Sequence, residues 1–412
     1  MATSYLTPGV YVEEVSGGAR PIQALGTSVA AFLGAAPDAS KRPQEAVAIN
    51  NWTEFCNQFV GKDSTSTPLS SAVHGWFLNG GGRCYVVNVG KDGTVAGGGK
   101  GGRKGVDLLE PIDDISIVAA PGFTDAASYD AVLTHCEEMK DRVAILSSPE
   151  DVTNVALLTD VATAGAPKSA APGAAKPPGD APAAPAGKGL RSRTSDGGYG
   201  SFFFPWMTIR DPLSPKDLIE VPPDGHVAGI YARTDTTRGV HKAPANEIVR
   251  GALDLGYRVT FDEHALLNPK GVNCLRLFSQ DGIRLYGART LADAASEWRY
   301  TSVRRLFAMI EKSIAQGTRW VVFEPNAEPL WKSIIRDVSA FLTLLWRQGA
   351  LKGATPEEAF FVKCDAETNP PDVVDAGQVV TVIGCAPVKP AEFVIFRIGQ
   401  GAGGADVGEA KS

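Results

Sequence analysis

Long hydrophobic runs are missing from this 412-residue chain. No apolar stretch approaches the ~20 residues of a membrane-crossing helix, so direct membrane insertion is not expected. Excess positive charge is missing too. Lys and Arg number 40 against 46 Asp and Glu, for a net charge of −6 and a pI near 5.5. That balance argues against nucleic acid as a partner, because neutralising phosphates needs clustered cations. The N-terminus lacks the basic-then-apolar pattern of a secretory signal, so export by the general pathway is not expected.

Cysteine is sparse. The six residues (Cys56, Cys84, Cys136, Cys274, Cys364, Cys385) are never closer than 21 positions and mostly sit in apolar runs. They read as buried free thiols in a reducing compartment. The five histidines (His74, His135, His226, His241, His264) show no ligand spacing with one another or with the cysteines, so no metal and no cofactor is expected.

What is present is enough apolar material, 44% of the chain, for two or three cores. Residues 29–33 and 46–49 read as strands. A helix follows, begun by Asn51 with Glu54 three positions on, carrying Trp52, Phe55 and Phe59 on one face. Pro68 opens a second helix, which stops at Asn79-Gly80-Gly81-Gly82 ahead of a strand over 84–89. A strand over 115–120, a helix over 125–140 with Thr124 as N-cap, and a strand over 143–147 form a strand–helix–strand unit. Such a unit implies parallel strands with a right-handed crossover.

From Ala162 to Gly189 the composition collapses to Ala, Pro, Gly and Lys, which predicts a disordered insertion. A buried strand is expected over 201–206, a small-residue helix within 221–235, and a short helix over 246–255. Asp281-Gly282 marks a hairpin between 272–279 and 283–288. Two periodic helices, 296–316 and 328–347, flank a predicted strand over 319–323. Strands at 360–362 and 379–383 complete an α+β C-terminal third.

Candidate chemistry is thin. Gly97–Gly102 (GGGKGG) lacks the Ser or Thr after Lys100 and the helix that a phosphate loop requires. Gly26-Thr27-Ser28 has the small-residue context of a subtilisin-type serine. His74 follows Ser28 in the wrong order for that triad and sits within an amphipathic helix. Asp113-Asp114 and Glu137-Glu138 are adjacent pairs whose side chains diverge.

One polar stripe stands out. Lys332, Arg336, Ser339, Thr343 and Arg347 step by helical spacing opposite an apolar face, with three cations and no acid. It is either a solvated face or a docking stripe for an acidic partner. Arg304 and Arg305 repeat the signal more weakly.

The two chain ends share a further peculiarity. Residues 391–400 are apolar on both faces, with Phe393 and Ile395 on one side and Val394, Phe396 and Ile398 on the other. Near the N-terminus, Val10-Tyr11-Val12-Glu13 is a short β-prone run followed by Gly17-Gly18. Lone strands on terminal arms suit a protein that completes its neighbour's sheet.

In order along the chain, several motifs together resemble the tail sheath proteins of contractile phage tails and related injection systems. They are Pro8-Gly9-Val10-Tyr11 with Glu13-Glu14, Gly80-Gly81-Gly82-Arg83-Cys84-Tyr85-Val86-Val87, and Lys242-Ala243-Pro244-Ala245-Asn246. They continue with Gly287-Ala288-Arg289-Thr290-Leu291, Phe323-Glu324-Pro325-Asn326 and the run 387–400.

The resemblance implies a non-enzymatic subunit stacked in six-membered rings around an inner tube. Its partners would be other copies of itself, the tube protein, and baseplate and terminal cap proteins. It also implies a central α/β domain inserted into an inner α+β domain built from both chain ends, with extended β-strand arms. The corresponding divisions are 1–24 (N-terminal arm), 25–268 (outer domain, with the insertion 162–196), 269–386 (inner domain) and 387–412 (C-terminal arm). Lys332, Arg336 and Arg347, with Arg304 and Arg305, would face the tube. Gly17, Gly18, Pro387 and Pro390 would act as hinges. Assembly would take place in the bacterial cytoplasm, as part of a tail or tail-like particle open to release from the cell. The competing reading is a subtilisin-like or other α/β hydrolase acting through Ser28.

Overall fold

The computed structural model describes residues 21–91, 93–99, 102–163 and 189–394. The arm residues Val10, Tyr11, Val12, Glu13, Gly17, Gly18, Ile395, Phe396 and Ile398 lie outside the described residues, as does most of the insertion.

The central strand β1 (Ala30–Gly34) is buried along its whole length, and its side chains alternate between two cores. Ala30 and Phe32 point into one core, Ala31 and Leu33 into the other. This period of two on a doubly covered strand is what a sheet between two helical layers requires. Around β1 stand β2 (Ala46–Ile49), then α1 (Trp52–Phe59), α2 (Pro68–Leu78) and β3 (Cys84–Asn88). Next come β4 (Ile117–Ala119), α3 (Ala126–Met139), β5 (Val143–Ser147) and β6 (Gly200–Phe204). A small antiparallel sheet is formed by β7 (Met207–Arg210), β8 (Leu218–Val221) and, after α4 (Asp224–Arg238) and β9 (Glu247–Ile248), β10 (Ala252–Leu255). Then follow α5 (Phe261–Leu267), β11 (Val272–Phe278) and β12 (Gly282–Tyr286).

The main sheet runs β2-β3-β1-β4-β5-β6-β11-β12-β9. It is parallel from β3 to β11 and antiparallel at both margins. Helices α1, α2 and α4 cover one face, and α3 and α5 the other. Asn51 caps α1 by accepting from the Glu54 amide, and Phe55 stacks between Trp52 and Phe59 at 5.1 and 5.3 Å. The α2–α4 contact depends on missing side chains. A Cβ on Gly225 would lie 2.0 Å from the Ala72 carbonyl oxygen, and one on Gly75 2.2 Å from His226.

The C-terminal unit is smaller. Helix α6 (Thr301–Gly317) packs Leu306, Met309 and Ile310 against Leu330, Ile334, Val338, Phe341, Leu342 and Leu345 of α7 (Glu328–Arg347). After α8 (Pro356–Ala359), β13 (Phe360–Lys363) pairs antiparallel with β14 (Val382–Cys385), on either side of α9 (Pro371–Asp375). Ile22 from the other end of the chain joins this core, and the Leu25 amide donates to Ser313 Oγ at 3.0 Å.

The structure corrects five expectations. Residues 246–255 form no helix: Gly251 at φ +89° and Asn246 at φ +59° break the turn, and β9 and β10 pair with β12 and β7 instead. Residues 319–323 form no strand but a 3₁₀ turn directly continuing α6, with Val321 N–H donating to Thr318 O. Asp125, not Thr124, caps α3, accepting from the Ala127 and Ser128 amides. The hairpin β11–β12 pairs with β6, so it belongs to the central sheet and not with the C-terminal unit where a boundary at 269 would put it. Residues 191–195, which a boundary at 196 assigns to the insertion, belong to the folded body: Arg191, Ser192 and Ser195 are buried and Arg193 pairs with Asp130 and Glu137 of α3.

Candidate assembly surfaces

Helix α7 holds its apolar stripe on the C-terminal core and leaves Lys332, Arg336 and Arg347 exposed. The helix is positioned at its start by Asn326, whose Oδ1 accepts from Trp331 Nε1 at 2.8 Å. Contrary to the expectation from spacing, acids do reach the stripe. Glu328, one turn earlier, holds Lys332 at 2.7 Å, and Arg336 Nε donates to Asp337 at 2.9 Å. Both cations remain substantially exposed, so these contacts are weak and leave charge available.

Arg304 and Arg305 do not belong with that stripe. Each side chain is 3% exposed, turned from the surface into the seam between the two units. Arg305 reaches Asp235 at the end of α4 at 2.5 Å, donates to the Thr27 carbonyl at 3.0 Å, and lies 4.8 Å over the Tyr231 ring. Thr27 Oγ1 donates to the same Asp235 carboxylate, so the chain entering β1, α4 and α6 meet at one buried anion. Arg304 is sandwiched by Trp298 and Tyr199 at 4.2 and 4.7 Å and pairs with Glu311. Farther along α6, Lys312 bonds Asp141 at 2.7 Å. The cations expected to meet an outside partner instead fasten α6 to the central sheet. Spacing on one helix could not show this, since the deciding partner, Asp235, is 70 positions away.

Among the described residues β14 pairs with β13 and with no other strand. Val379, Thr381 and Ile383 line an open groove together with Ile314, Ile334 and Val338. Phe361, Val380 and Val382 are 56%, 40% and 44% exposed. An open strand edge beside an apolar groove is a template for another strand.

The C-terminal segment reaches this region as a strap held at both ends. Lys352 N–H donates to Ala386 O at 2.7 Å and Val388 N–H to Ala350 O at 3.2 Å, with Pro387 bridged to Leu351. Four residues later Glu392 crosses to the central unit. Arg289, itself nearly buried, holds it with two bonds of 2.7 Å, joined by Asn268 Nδ2 at 3.1 Å and Tyr300 Oη at 3.3 Å. Burial alone would raise the Glu392 pKa, but these donors hold it below the usual carboxylate range. Pro387 and Pro390 therefore lie inside a tethered strap, not in a free hinge. The first untethered residues are Phe393 and Val394, 73% and 70% exposed and outside any strand of the described residues. The sequence signal for the clamp was an acid, Glu392, directly before the apolar stretch Phe393–Phe396.

Nothing assembles the hydrolase alternative. His74 packs its ring edge on Trp52 at 5.0 Å, its Nδ1 lacks a partner, and burial lowers its pKa. Among the described residues no hydrogen bond joins it to Ser28, and no cluster of three His, Cys, Asp or Glu could hold a metal. Two buried titratable groups lie at the start of α4: Asp224, pushed up to about 7 by burial, and His226, pushed down to about 3 by burial and by His74.

Two consecutive family models match the chain: the phage tail sheath protein central domain over residues 101–291 and the phage tail sheath C-terminal domain over residues 293–400. The chain belongs to the phage tail sheath family. The tail sheath protein of Salmonella phage ViI is 27% identical over 315 residues, covering 70% of this chain and 44% of that protein. The chain spans less than half the length of the curated relatives it matches. Solved structures match nearly end to end. The PVC sheath complex of an extracellular contractile injection system, in its contracted state, superposes with a TM-score of 0.74 at 28% identity, covering 97% of this chain and 99% of that one. The contracted helical sheath of the anti-feeding prophage gives 0.71 at 29% identity, covering 96% and 100%.

Proposed function

We propose that this chain is the structural subunit of a contractile sheath, polymerising helically around an inner tube and shortening to drive that tube through a target envelope. The observation that carries the reading is the family match joined to near-complete likeness to sheath subunits solved within sheath complexes. The role is structural, with no reaction assigned. In keeping with it, the central unit forms the outer body, inserted into an inner unit to which both chain ends contribute. Ile22 in the C-terminal core and the Leu25 amide on Ser313 support that arrangement.

The unfinished β13–β14 sheet is the receptor for terminal arms of neighbouring copies, carrying Val10, Tyr11, Val12 and Glu13 at one end and Phe393, Val394, Ile395, Phe396 and Ile398 at the other. Main-chain pairing of this kind persists while rigid bodies rotate, which keeps a lattice connected through contraction. Head-to-tail contacts that do not close produce helical arrays. The exposed cations Lys332, Arg336 and Arg347 steer the inner unit onto an acidic tube wall. Baseplate and cap proteins would bound the assembly inside a tail or tail-like particle formed in the bacterial cytoplasm.

Negative-stain microscopy of the purified chain tests the reading, with tubes or rings expected. Protein that stays monomeric at every salt concentration would overturn it. Deleting 1–16, or 393–412 so that the Glu392 clamp survives, should leave a folded subunit that no longer assembles. Unchanged assembly would refute the arm exchange.

A further inference from the structure

The turn between α6 and α7 presents Phe323 wholly to solvent, at 102% relative exposure, beside Val322 at 63%. Phe323 also adopts φ +71°, a region costly for a bulky residue with a Cβ. Polar residues or glycine normally occupy such a position, so an exposed aromatic there satisfies neither local backbone preference nor burial.

The turn is not loose. Val322 N–H donates to Arg319 O, Glu324 N–H to Val321 O, and Asn326 braces it from both sides, donating Nδ2 to Gln378 O at 2.8 Å and accepting from Trp331 Nε1. An aromatic presented from a backbone already held in place suits the anchor of a protein interface, because less backbone ordering entropy is lost when it is covered.

Its location identifies what covers it. Val321 and Val322 line one groove together with Val379, Thr381 and Ile383, which lead into β14, and Phe323 follows Val322 directly. A strand laid along β14 in that groove has one face on Ile334 and Val338 and the other toward the lip. Within the run 391–400, Phe393 and Ile395 stand on one face and Val394, Phe396 and Ile398 on the other, with Arg397 the one charge among them, so the second face needs cover that the groove floor cannot supply. We infer that Val322 and Phe323 form an aromatic lip that closes over the apolar arm strand of a second copy of this chain. The inference rests on the sheath reading and adds to it a residue that contacts the arm by side chain rather than by main-chain pairing.

The test compares the wild-type chain with Phe323→Ser, Phe323→Gly and Phe323→Trp, reading tube formation against concentration and monomer melting in parallel. Phe323→Ser and Phe323→Gly should raise the concentration needed for tubes by about tenfold or more, and Phe323→Trp should assemble like the wild type. Phe323→Gly should melt no lower than wild type, since glycine relieves the positive φ; a merely structural role would lower it. A photo-cross-linking residue at 323 in assembled tubes should join peptides within 391–400 of another copy. Assembly of Phe323→Ser at the wild-type concentration would overturn the inference while leaving the sheath reading intact. A cross-link confined to one copy, or directed elsewhere on a second copy, would likewise overturn it. Wild-type chain that forms no tubes would overturn the sheath reading and this inference together.

Discussion

The central unit and the C-terminal unit solve the same packing problem to different degrees. The central sheet is covered on both faces, and its interior strands from β3 to β11 have neighbours on each side. The C-terminal unit has a core, but it stops at a two-stranded sheet with an apolar groove and with Phe361, Val380, Val382 and Phe323 in solvent. That sheet is braced by the α6–α7 core, against which Phe360, Val362 and Ile383 pack, and its open edge is where the proposed arms would add strands. The central unit closes its sheet between two helical layers; among the described residues the C-terminal unit leaves a groove and a strand edge uncovered. Mutations in the first should therefore act on folding, and mutations on the open side of the second on assembly.

The seam between the units should give the largest effect. Asp235→Ala removes the carboxylate that neutralises Arg305 and accepts from Thr27, leaving a cation 3% exposed without its partner. Breaking one side of a buried pair costs about 3–5 kcal/mol. Urea unfolding should show that loss, with a single transition if the units fold together. A change below about 1 kcal/mol would mean the seam is solvated and the units are only loosely joined.

Within the central unit, Asp224 ties stability to pH. Its folded pKa is raised by burial from 3.8 to about 7, so the folded state holds the proton that the unfolded chain releases. Stability contributed by this group is complete below the unfolded value and falls as pH climbs toward 7. Asp224→Asn removes that decline. At pH 8 it should be the more stable protein by up to about 4 kcal/mol, since each tenfold change in proton affinity is worth ~1.4 kcal/mol. The gap should close near pH 4. Parallel melting profiles for the two proteins across that range would rule the buried carboxyl out as the cause.

The Glu392 clamp lies on the boundary of the comparison. Glu392→Gln keeps the shape but loses the charge facing Arg289, and about 1–3 kcal/mol of local stability should go with it. Because the folded pKa is depressed from 4.5, the clamp is fully formed above that value and opens as pH falls through the depressed one. Hydrogen exchange should speed up across residues 388–394 with little change in the global midpoint. If exchange there is unaltered, the strap is held by its bonds to Ala350 and Lys352 alone.

Local grammar in the sequence foretold elements of both units. The strand–helix–strand around α3, the Asp281-Gly282 hairpin with Gly282 at φ +72°, and the 20-residue α7 all follow from periodicity and punctuation within a few turns of chain. Two of the failures turn on distant partners. Residues 246–255 became strands because β12 and β7 offered edges, and Arg304 and Arg305 turned inward because Asp235, Tyr231, Tyr199 and Trp298 were waiting there. Partners tens of residues away leave no mark on local spacing. The open edge of β14 likewise left no mark on local spacing.

The smallest effect on folding, and the clearest on assembly, should come from the α7 stripe. Reversing Lys332, Arg336 and Arg347 together to Glu changes three exposed side chains. The Lys332–Glu328 pair is lost, and the new Glu at 332 repels Glu328 across one helical turn, a penalty of about 0.3–0.5 kcal/mol. Arg336→Glu also deprives the buried Asp337 of its donor, which makes it the costliest of the three; the Lys332→Glu, Arg347→Glu double variant isolates the surface charge from that contact. Monomer melting of the double variant should stay within about 0.5 kcal/mol of wild type, while co-assembly with an acidic tube should fail or slow, and more so at low salt, where charge steering is strongest. Tubes of the double variant that sheath at the wild-type rate would make the stripe a solvated face, and would leave the open sheet as the assembly-specific surface of the C-terminal unit.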